Sequence, residues 1–338
     1  MGSALPLRSA YSQHRAGILH RGDARTLSRV KEVLDKRLVY VTGKGGVGKT
    51  TVAAALGLAA ARAGKRTVIA EVSQQERITG AFGHEPAGFN ETMVAENLHA
   101  FSIDPDKAKD EWLRHQLHSG ALVALLNRSQ IFSYLTAAAP GLAEVVTMGK
   151  IWELAQLERR AARARPYDLV IVDAPATGHG LALLRAPRTF ADIARVGPVK
   201  NHAERIHSFT ADPAVTGIVA VALAEEMPVN ETIDLEGRLA EDMGLELSAI
   251  FVNGVLPERF TGADAEAMAS MDGAGSAAAR EALTAALGAH ERAKAQRSQV
   301  GRLKRGVEAP VATLPFLLTP EVGRDDLERL SQELERKL

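Results

Sequence analysis

The sequence contains no cysteine among its 338 residues. Disulfide bonds, thiolate metal sites and cysteine nucleophiles are therefore excluded together. An excess of charge of either sign is also missing, since Lys and Arg together number 41 and Asp and Glu together number 41. Because this balance gives no general field for polyanions, we expect no nucleic acid as the main partner. A cytoplasmic protein is the simplest interpretation of a chain without cysteine.

Long hydrophobic runs and aromatic residues are scarce. Aromatic residues make up 4% of the chain, and no apolar run reaches the ~18–20 residues that span a bilayer. Hydrophobic residues nevertheless supply 46% of the sequence, which is enough to bury a sizeable core. The length suits one large α/β domain or two smaller ones.

Short apolar runs alternate with helical stretches from residue 37 onward. The predicted strands lie at 38–41, 67–72, 98–103, 169–173, 217–223, 249–252 and 311–314. Strands that alternate with helices predict an α/β fold with a mainly parallel, twisted sheet flanked by helices. We predict that residues 37–338 form this domain, with a further alanine-rich helical stretch over 264–305.

Two segments fall outside this alternation. Residues 1–36 bear several arginines and no acidic residue before Asp23; a transit peptide has this composition, but we favour a short disordered or helical arm. The interval 104–166 is too long for a simple crossover, and its apolar residues predict a helical insertion. Near its end lies a basic run, interpreted as the solvated end of a helix rather than a patch for an anionic membrane or nucleic acid: Arg159, Arg160, Arg163 and Arg165.

The glycine-rich segment after the first predicted strand carries the most specific motif, G-x-x-x-x-G-K-[ST]. Strand, loop and helix follow in the order that a phosphate-binding loop requires, with backbone N–H groups and a helix N-terminus directed at phosphate. Lys49 is expected to reach the β- and γ-phosphates and the Thr50 hydroxyl to bind Mg²⁺. The alternative is a turn that only joins a strand to a helix. The residues predicted to bind nucleotide here are Gly43, Gly45, Gly46, Val47, Gly48, Lys49, Thr50 and Thr51.

Asp173 ends a run of four apolar residues. At the carboxyl end of a buried strand it is well placed as the Walker-B group that holds Mg²⁺. A helix or turn cap is the alternative. Residues 174–180 are rich in turn-forming types, and we predict a loop there that senses the γ-phosphate.

Lys44 makes the motif more specific. The pattern G-K-G-G-x-G-K-[ST] resembles the deviant P-loop of the dimeric ATPases that include ParA/MinD, the nitrogenase iron protein and the arsenical pump-driving ATPases. In that group the early lysine reaches across a dimer interface to the partner's nucleotide. The resemblance implies a homodimer, or a heterodimer with a related ATPase, in which Lys44 acts in trans like an arginine finger worth ~10³–10⁵ in rate. The alternative is a solvated loop lysine.

The segment 173–181 is similar to D-T-A-P-T-G-H-T-L, the switch II of the arsenical pump-driving and tail-anchored-protein-targeting ATPases. Asn253 resembles that family's adenine-contacting asparagine, and Pro315 stands at the start of its adenine loop. The resemblance implies ATP and Mg²⁺ as cofactors. It also implies that nucleotide state is passed through the helical insertion to an unknown protein client or membrane partner.

Switch I departs from the family pattern T-D-P-A-H-S-L, whose Asp orients the attacking water. Ser73 stands at that Asp, and because a serine hydroxyl is a poor base, Gln74, Glu76 or Glu71 is a candidate substitute. We predict ATP hydrolysis. The turnover rate stays open, because switch I lacks the Asp that orients the attacking water. A nucleotide-gated binding subunit with little turnover and a ParA/MinD-type positioning ATPase are the alternatives. The family's arsenite and zinc sites use cysteines, which this chain lacks.

Overall fold

The computed structural model describes residues 32–72, 76–117, 119, 123–125, 128–129, 141–159, 164–194, 197–271 and 276–337. Eight strands form one sheet within these residues. The strands are β1 Leu38–Thr42, β2 Thr67–Glu71, β3 Thr92–Ala95, β4 Leu98–Ser102, β5 Leu169–Asp173, β6 Thr216–Leu223, β7 Ala249–Val255 and β8 Val311–Pro315.

The sheet is parallel except at one edge. Its strand order is β3-β4-β2-β5-β1-β6-β7-β8, and only β3 runs antiparallel to its neighbour. The loops that follow the parallel strands therefore all leave from one edge, where ligands bind in open α/β sheets. This arrangement confirms the predicted α/β fold with a mainly parallel sheet.

Ten α-helices lie around the sheet in the described residues. They are α1 Lys49–Arg62, α2 Arg77–Ala81, α3 Pro105–Leu117, α4 Leu142–Leu154, α5 Thr177–Ile193, α6 Pro198–Ala211, α7 Glu226–Met243, α8 Gly262–Ser270, α9 Ala277–Gly306 and α10 Arg324–Glu335. In the part of the chain that is described, none of them is both long and apolar enough to cross a bilayer.

The core has two layers, one on each face of the sheet. Side chains alternate along a strand, so Val39 and Val41 of β1 pack with α1 and α10, whereas Leu38 and Tyr40 pack with α4, α5 and α7 on the other face. Helix α1 is buried continuously from 52 to 61. Its alanines allow the close approach to the sheet that fixes the loop before it.

Three predicted features differ from the structure. Strand β3 was not predicted, because it is a short edge strand with one buried residue. The loop predicted at 174–180 is shorter, since α5 already begins at Thr177. The prediction of a solvated helix end is wrong for Arg159, whose side chain is 1% exposed and pairs with Glu153 and Glu91. Arg160 and Arg163, like residues 1–31 of the predicted extension, lie outside the described residues.

Candidate functional site

The segment 43–48 turns sharply between β1 and α1, and glycine makes this turn possible. Gly43, Gly46 and Gly48 have φ of 142°, 84° and 89°, conformations that L-residues rarely adopt. A Cβ on Gly43 would lie 2.3 Å from the Val221 carbonyl oxygen, and one on Gly48 would lie 2.3 Å from Asn253 Nδ2. The positive φ and the neighbouring atoms therefore require glycine at both positions. The loop leads directly into the N-terminus of α1.

Lys49 begins α1 and lies over the loop that precedes it. Its Nζ donates to the Lys44 carbonyl oxygen at 2.9 Å. Burial lowers the pKa of the Lys49 ammonium, and the charge of Asp173 opposes that shift. The lysine predicted to meet phosphate is thus close to a carboxylate and to the open side of the loop.

Thr50, in the first turn of α1, meets Asp173 at the end of β5. The Thr50 Oγ1 donates to Asp173 Oδ2 at 2.7 Å, while Asp173 Oδ1 is buried with no hydrogen-bond partner. Burial, reinforced by the charge of Glu71 and opposed by Thr50 and Lys49, raises the pKa of Asp173 to about 6. A hydroxyl beside a carboxylate with a free oxygen suits Mg²⁺, which prefers oxygen ligands. These two residues therefore fit the predicted metal site.

The metal would need more ligands than the protein brings here. Across the described residues, no group of three or more His, Asp or Glu side chains is arranged to hold a metal ion. Mg²⁺ in nucleotide sites takes one or two protein ligands and completes its shell with phosphates and water. The pair of Thr50 and Asp173 suits such a shared site rather than a metal cage.

Lys44 makes a contact within its own chain. Its Nζ lies 2.6 Å from Glu231 Oε1 on α7, with the two side chains 36% and 40% exposed. Ion pairs this exposed contribute about 0–1 kcal/mol, so the contact holds Lys44 only weakly. The prediction that Lys44 reaches a partner's nucleotide stays a prediction.

Switch I is only partly described. Ser73 and Gln74 lie outside the described residues, so their predicted roles are not placed. Glu76 has a φ of 50°, and its Oε2 is buried without a hydrogen-bond partner. Glu71 is 3% exposed and accepts hydrogen bonds from the backbone N–H of Arg77 at 2.9 Å and of Ile78 at 3.5 Å. Both glutamates lie within residues 71–80, the segment predicted as switch I.

Switch II is connected directly to the glycine loop. The Thr177 N–H donates to the Gly43 carbonyl oxygen at 3.1 Å. Gly180 lies in the first turn of α5, where its carbonyl accepts from the buried Tyr40 hydroxyl at 2.9 Å. A Cβ on Gly180 would lie 3.1 Å from the Pro175 carbonyl oxygen. The start of α5 is therefore packed closely against β1 and the turn at Pro175.

Two cavities meet above the loop. One, of about 1040 Å³, is lined by Gly45, Lys49, Thr50 and Asp173, and the other, of about 700 Å³, extends toward Asn253 and Pro315. Their common lining includes Gly46, Gly48 and Thr51, while the Val47 side chain is buried beneath. The first matches a phosphate-and-metal compartment and the second is wide enough for a nucleoside.

Asn253 and Gln296 shape the second cavity. Asn253 Nδ2 donates to the Val47 carbonyl oxygen at 3.0 Å, which connects the end of β7 to the glycine loop. Gln296 of α9 accepts from the Leu256 N–H at 2.8 Å and donates to the Gly254 carbonyl oxygen at 3.3 Å. No sequence pattern pointed to Gln296, because its two partners lie some forty positions away on another element.

The parallel sheet, the glycine loop at its carboxyl edge and the joined cavities define a P-loop nucleotide-binding protein. A sequence profile of the anion-transporting ATPase family matches residues 36–196. The match covers just under half of the chain, and it confirms the resemblance found in the motifs. The matching family and the relatives described next are named as ATPases, so the similarity supports nucleotide binding and ATPase activity at the level of the family only.

Individual relatives give the same result. ATPase BagA of Mycobacterium tuberculosis is 33% identical over 227 residues, 65% of this chain and 66% of that protein, so the chain spans just under two thirds of its length. ATPase GET3 of Kluyveromyces lactis is 27% identical over 256 residues, 65% of this chain and 72% of GET3. A candidate arsenical pump-driving ATPase of Halobacterium salinarum is 28% identical over 240 residues, 68% of this chain and 37% of that protein.

Proposed function

We propose that the protein is a Mg²⁺-dependent ATPase that works as a dimer. The observation that carries the proposal is the contact of Thr50 with Asp173 beside the start of α1, with Asp173 Oδ1 left unpaired in a buried position. A buried carboxylate oxygen without a partner is costly. A divalent cation bridging to phosphate would satisfy it.

The residues of the loop divide the work of holding ATP. The N–H groups of 43–48 and the start of α1 face the phosphates, and Lys49 leaves the Lys44 carbonyl to contact the β- and γ-phosphates. Asn253 and Pro315 contact the base in the second cavity. Thr50 and Asp173 would hold Mg²⁺, which would supply neutralising charge at the phosphates.

The dimer gives Lys44 its function in this proposal. Lys44 leaves Glu231 and reaches the nucleotide bound by the partner subunit, where it neutralises charge that develops in the transition state. Breaking the pair with Glu231 costs little free energy, because both side chains are partly exposed to water.

The route from nucleotide to client runs through α5. The Thr177 N–H contacts the Gly43 carbonyl oxygen, and α5 packs on α4 of the predicted insertion, with Leu181, Leu184 and Ile151 in one buried cluster. A change at the phosphates that moves the start of α5 would therefore move α4. A protein client or membrane partner bound through the insertion, and a cytoplasmic location, belong to the proposal.

A second candidate function is a nucleotide-gated binding subunit. It is favoured by the serine at the place of the switch I aspartate, since Ser73 cannot act as an effective base. Such a protein would bind ATP and change state without turning it over.

Phosphate release by the purified full-length chain separates the two functions. We expect Mg²⁺-dependent release that Lys49→Ala abolishes, while Lys107→Ala, an exposed lysine on α3, leaves it unchanged. Tight binding of a fluorescent ATP analogue without phosphate release would select the second function. No binding of ATP in the presence of Mg²⁺ would overturn both.

Sedimentation velocity tests the dimer. ATP with Mg²⁺ is expected to convert the wild-type chain to a dimer. Lys44→Ala is expected to reduce turnover much more than ATP binding. A strictly monomeric chain under turnover conditions would remove the dimer from the proposal and leave the nucleotide site intact.

A further inference from the structure

Two carboxylates stand side by side at the carboxyl edge of the sheet. Glu71 and Asp173 end the neighbouring parallel strands β2 and β5 and are paired in register, so their Cα atoms lie about 4.8 Å apart and their side chains leave the same face. Glu71 is 3% exposed and Asp173 is 2% exposed. Placing two acidic groups together away from water costs free energy unless a cation lies between or beside them.

The surroundings of the pair give incomplete compensation. The charges of Lys49 and Arg77 favour ionised Asp173, whereas the charge of Glu71 and burial oppose it. Burial raises the pKa of Glu71, and the hydrogen bonds from the backbone N–H groups of Arg77 and Ile78 oppose that shift. Glu71 therefore connects the end of β2 to the start of α2, across the segment in which switch I is predicted, while its charge also acts on Asp173.

A simple capping role would not require a charge. The amide oxygen of glutamine can accept the hydrogen bond from the Arg77 N–H, more weakly than a carboxylate does and without repelling Asp173. The family pattern places its acidic group at the position of Ser73, so a carboxylate on this edge supplies the negative charge that the serine does not.

We propose that Glu71 is a positioning residue for Mg²⁺, acting beside Asp173 to favour the cation and to hold the start of α2 against the metal end of the site. The proposal rests on the Mg²⁺-dependent nucleotide site proposed above. In this proposal the charge of Glu71, and not only its hydrogen bonds, contributes to Mg²⁺ affinity.

Mg²⁺ titration of fluorescent ATP-analogue binding tests this charge. In Glu71→Gln the Mg²⁺ concentration for half-maximal effect is expected to rise about 10-fold, the usual size of an effect transmitted through residues around a metal. Binding of the analogue without Mg²⁺ and the melting temperature without Mg²⁺ are expected to stay at wild-type values or rise. Glu85→Gln, an exposed glutamate shortly after α2, is the matched control and is expected to leave the titration unchanged.

The outcomes are distinct. A Glu71→Gln titration that overlays the wild-type one would reduce Glu71 to a cap and overturn the inference. A wild-type chain that binds the analogue equally with and without Mg²⁺ would instead refute the proposed function. Should Glu71→Gln fail to fold, hydrogen exchange of wild-type residues 76–82 decides: greater protection with Mg²⁺ and ADP than with ADP alone supports the inference, and equal protection contradicts it.

Discussion

Replacing Asp173 with asparagine should stabilise the protein when no metal is present. The pKa of Asp173 is raised from its ordinary 3.8 to about 6, chiefly by burial. In the unfolded chain the carboxyl group ionises at its ordinary value, so between these pH values the folded state keeps a proton that the unfolded state has released. Stability therefore falls as pH rises from 4 to 6 and stays low above that range.

The size of the effect follows from the same pKa. A tenfold change in proton affinity is worth about 1.4 kcal/mol, so the carboxylate costs the folded state about 3 kcal/mol above pH 7 and about 1 kcal/mol near pH 4.5. Asparagine keeps an oxygen that accepts from the Thr50 hydroxyl and carries no charge to bury. Asp173→Asn is thus expected to raise the free energy of unfolding by up to about 3 kcal/mol near neutral pH and by much less in acid.

Thermal and denaturant unfolding near pH 4.5 and slightly above pH 7, with and without Mg²⁺ and ADP, test this prediction. Asp234→Asn is the matched control, since Asp234 is exposed on α7, and it should change little at either pH. The wild-type chain should be stabilised by Mg²⁺ with ADP, and the Asp173 variant should lose that gain. A variant that is less stable than the wild type near neutral pH without Mg²⁺ would refute the reasoning, because burial would then not be the dominant influence on this carboxylate.

The remaining predictions concern the loop and its lysine. Gly48→Ala should lower the affinity for a fluorescent ATP analogue at least about tenfold, because its Cβ would collide with Asn253 Nδ2. Gly46→Ala has a similar positive φ but no atom within 4 Å of its Cβ, so equal losses in the two variants would assign the effect to backbone strain alone. Glu231→Gln frees Lys44 from an exposed pair and should favour the ATP-bound dimer up to about fivefold in sedimentation. A weaker dimer would show instead that Glu231 belongs to the interface.

The sheet was predictable wherever a strand is buried on both faces. Runs such as the one ending at Asp173 are apolar throughout because helices cover both sides, and the predicted bounds agree with β5. Strand β3 offered no such run, since three of its four residues are at least partly exposed. Its position depends on pairing with β4, which a local pattern does not report.

The candidate site was predictable where the chemistry is local in sequence. The glycine loop carries its own spacing, and Asp173 follows directly from its strand. Glu231 and Gln296 were not predictable, because their contacts join residues far apart along the chain. The prediction for the basic run failed at Arg159 for the same reason. Its partner Glu91 precedes Arg159 by 68 positions in the sequence, and the pairing takes the arginine side chain out of water.

That buried arginine fixes one end of α4. Arg159 joins Glu153, at the carboxyl end of α4, to Glu91 beside the sheet edge, and removing one partner of a buried pair costs about 3–5 kcal/mol. The helix is about 18 Å long, and a tilt of about 10° around its anchored end would carry Leu142 through about 3 Å. A tilt of α4 would therefore pivot about its carboxyl end, and the amino-terminal end at Leu142 would move furthest.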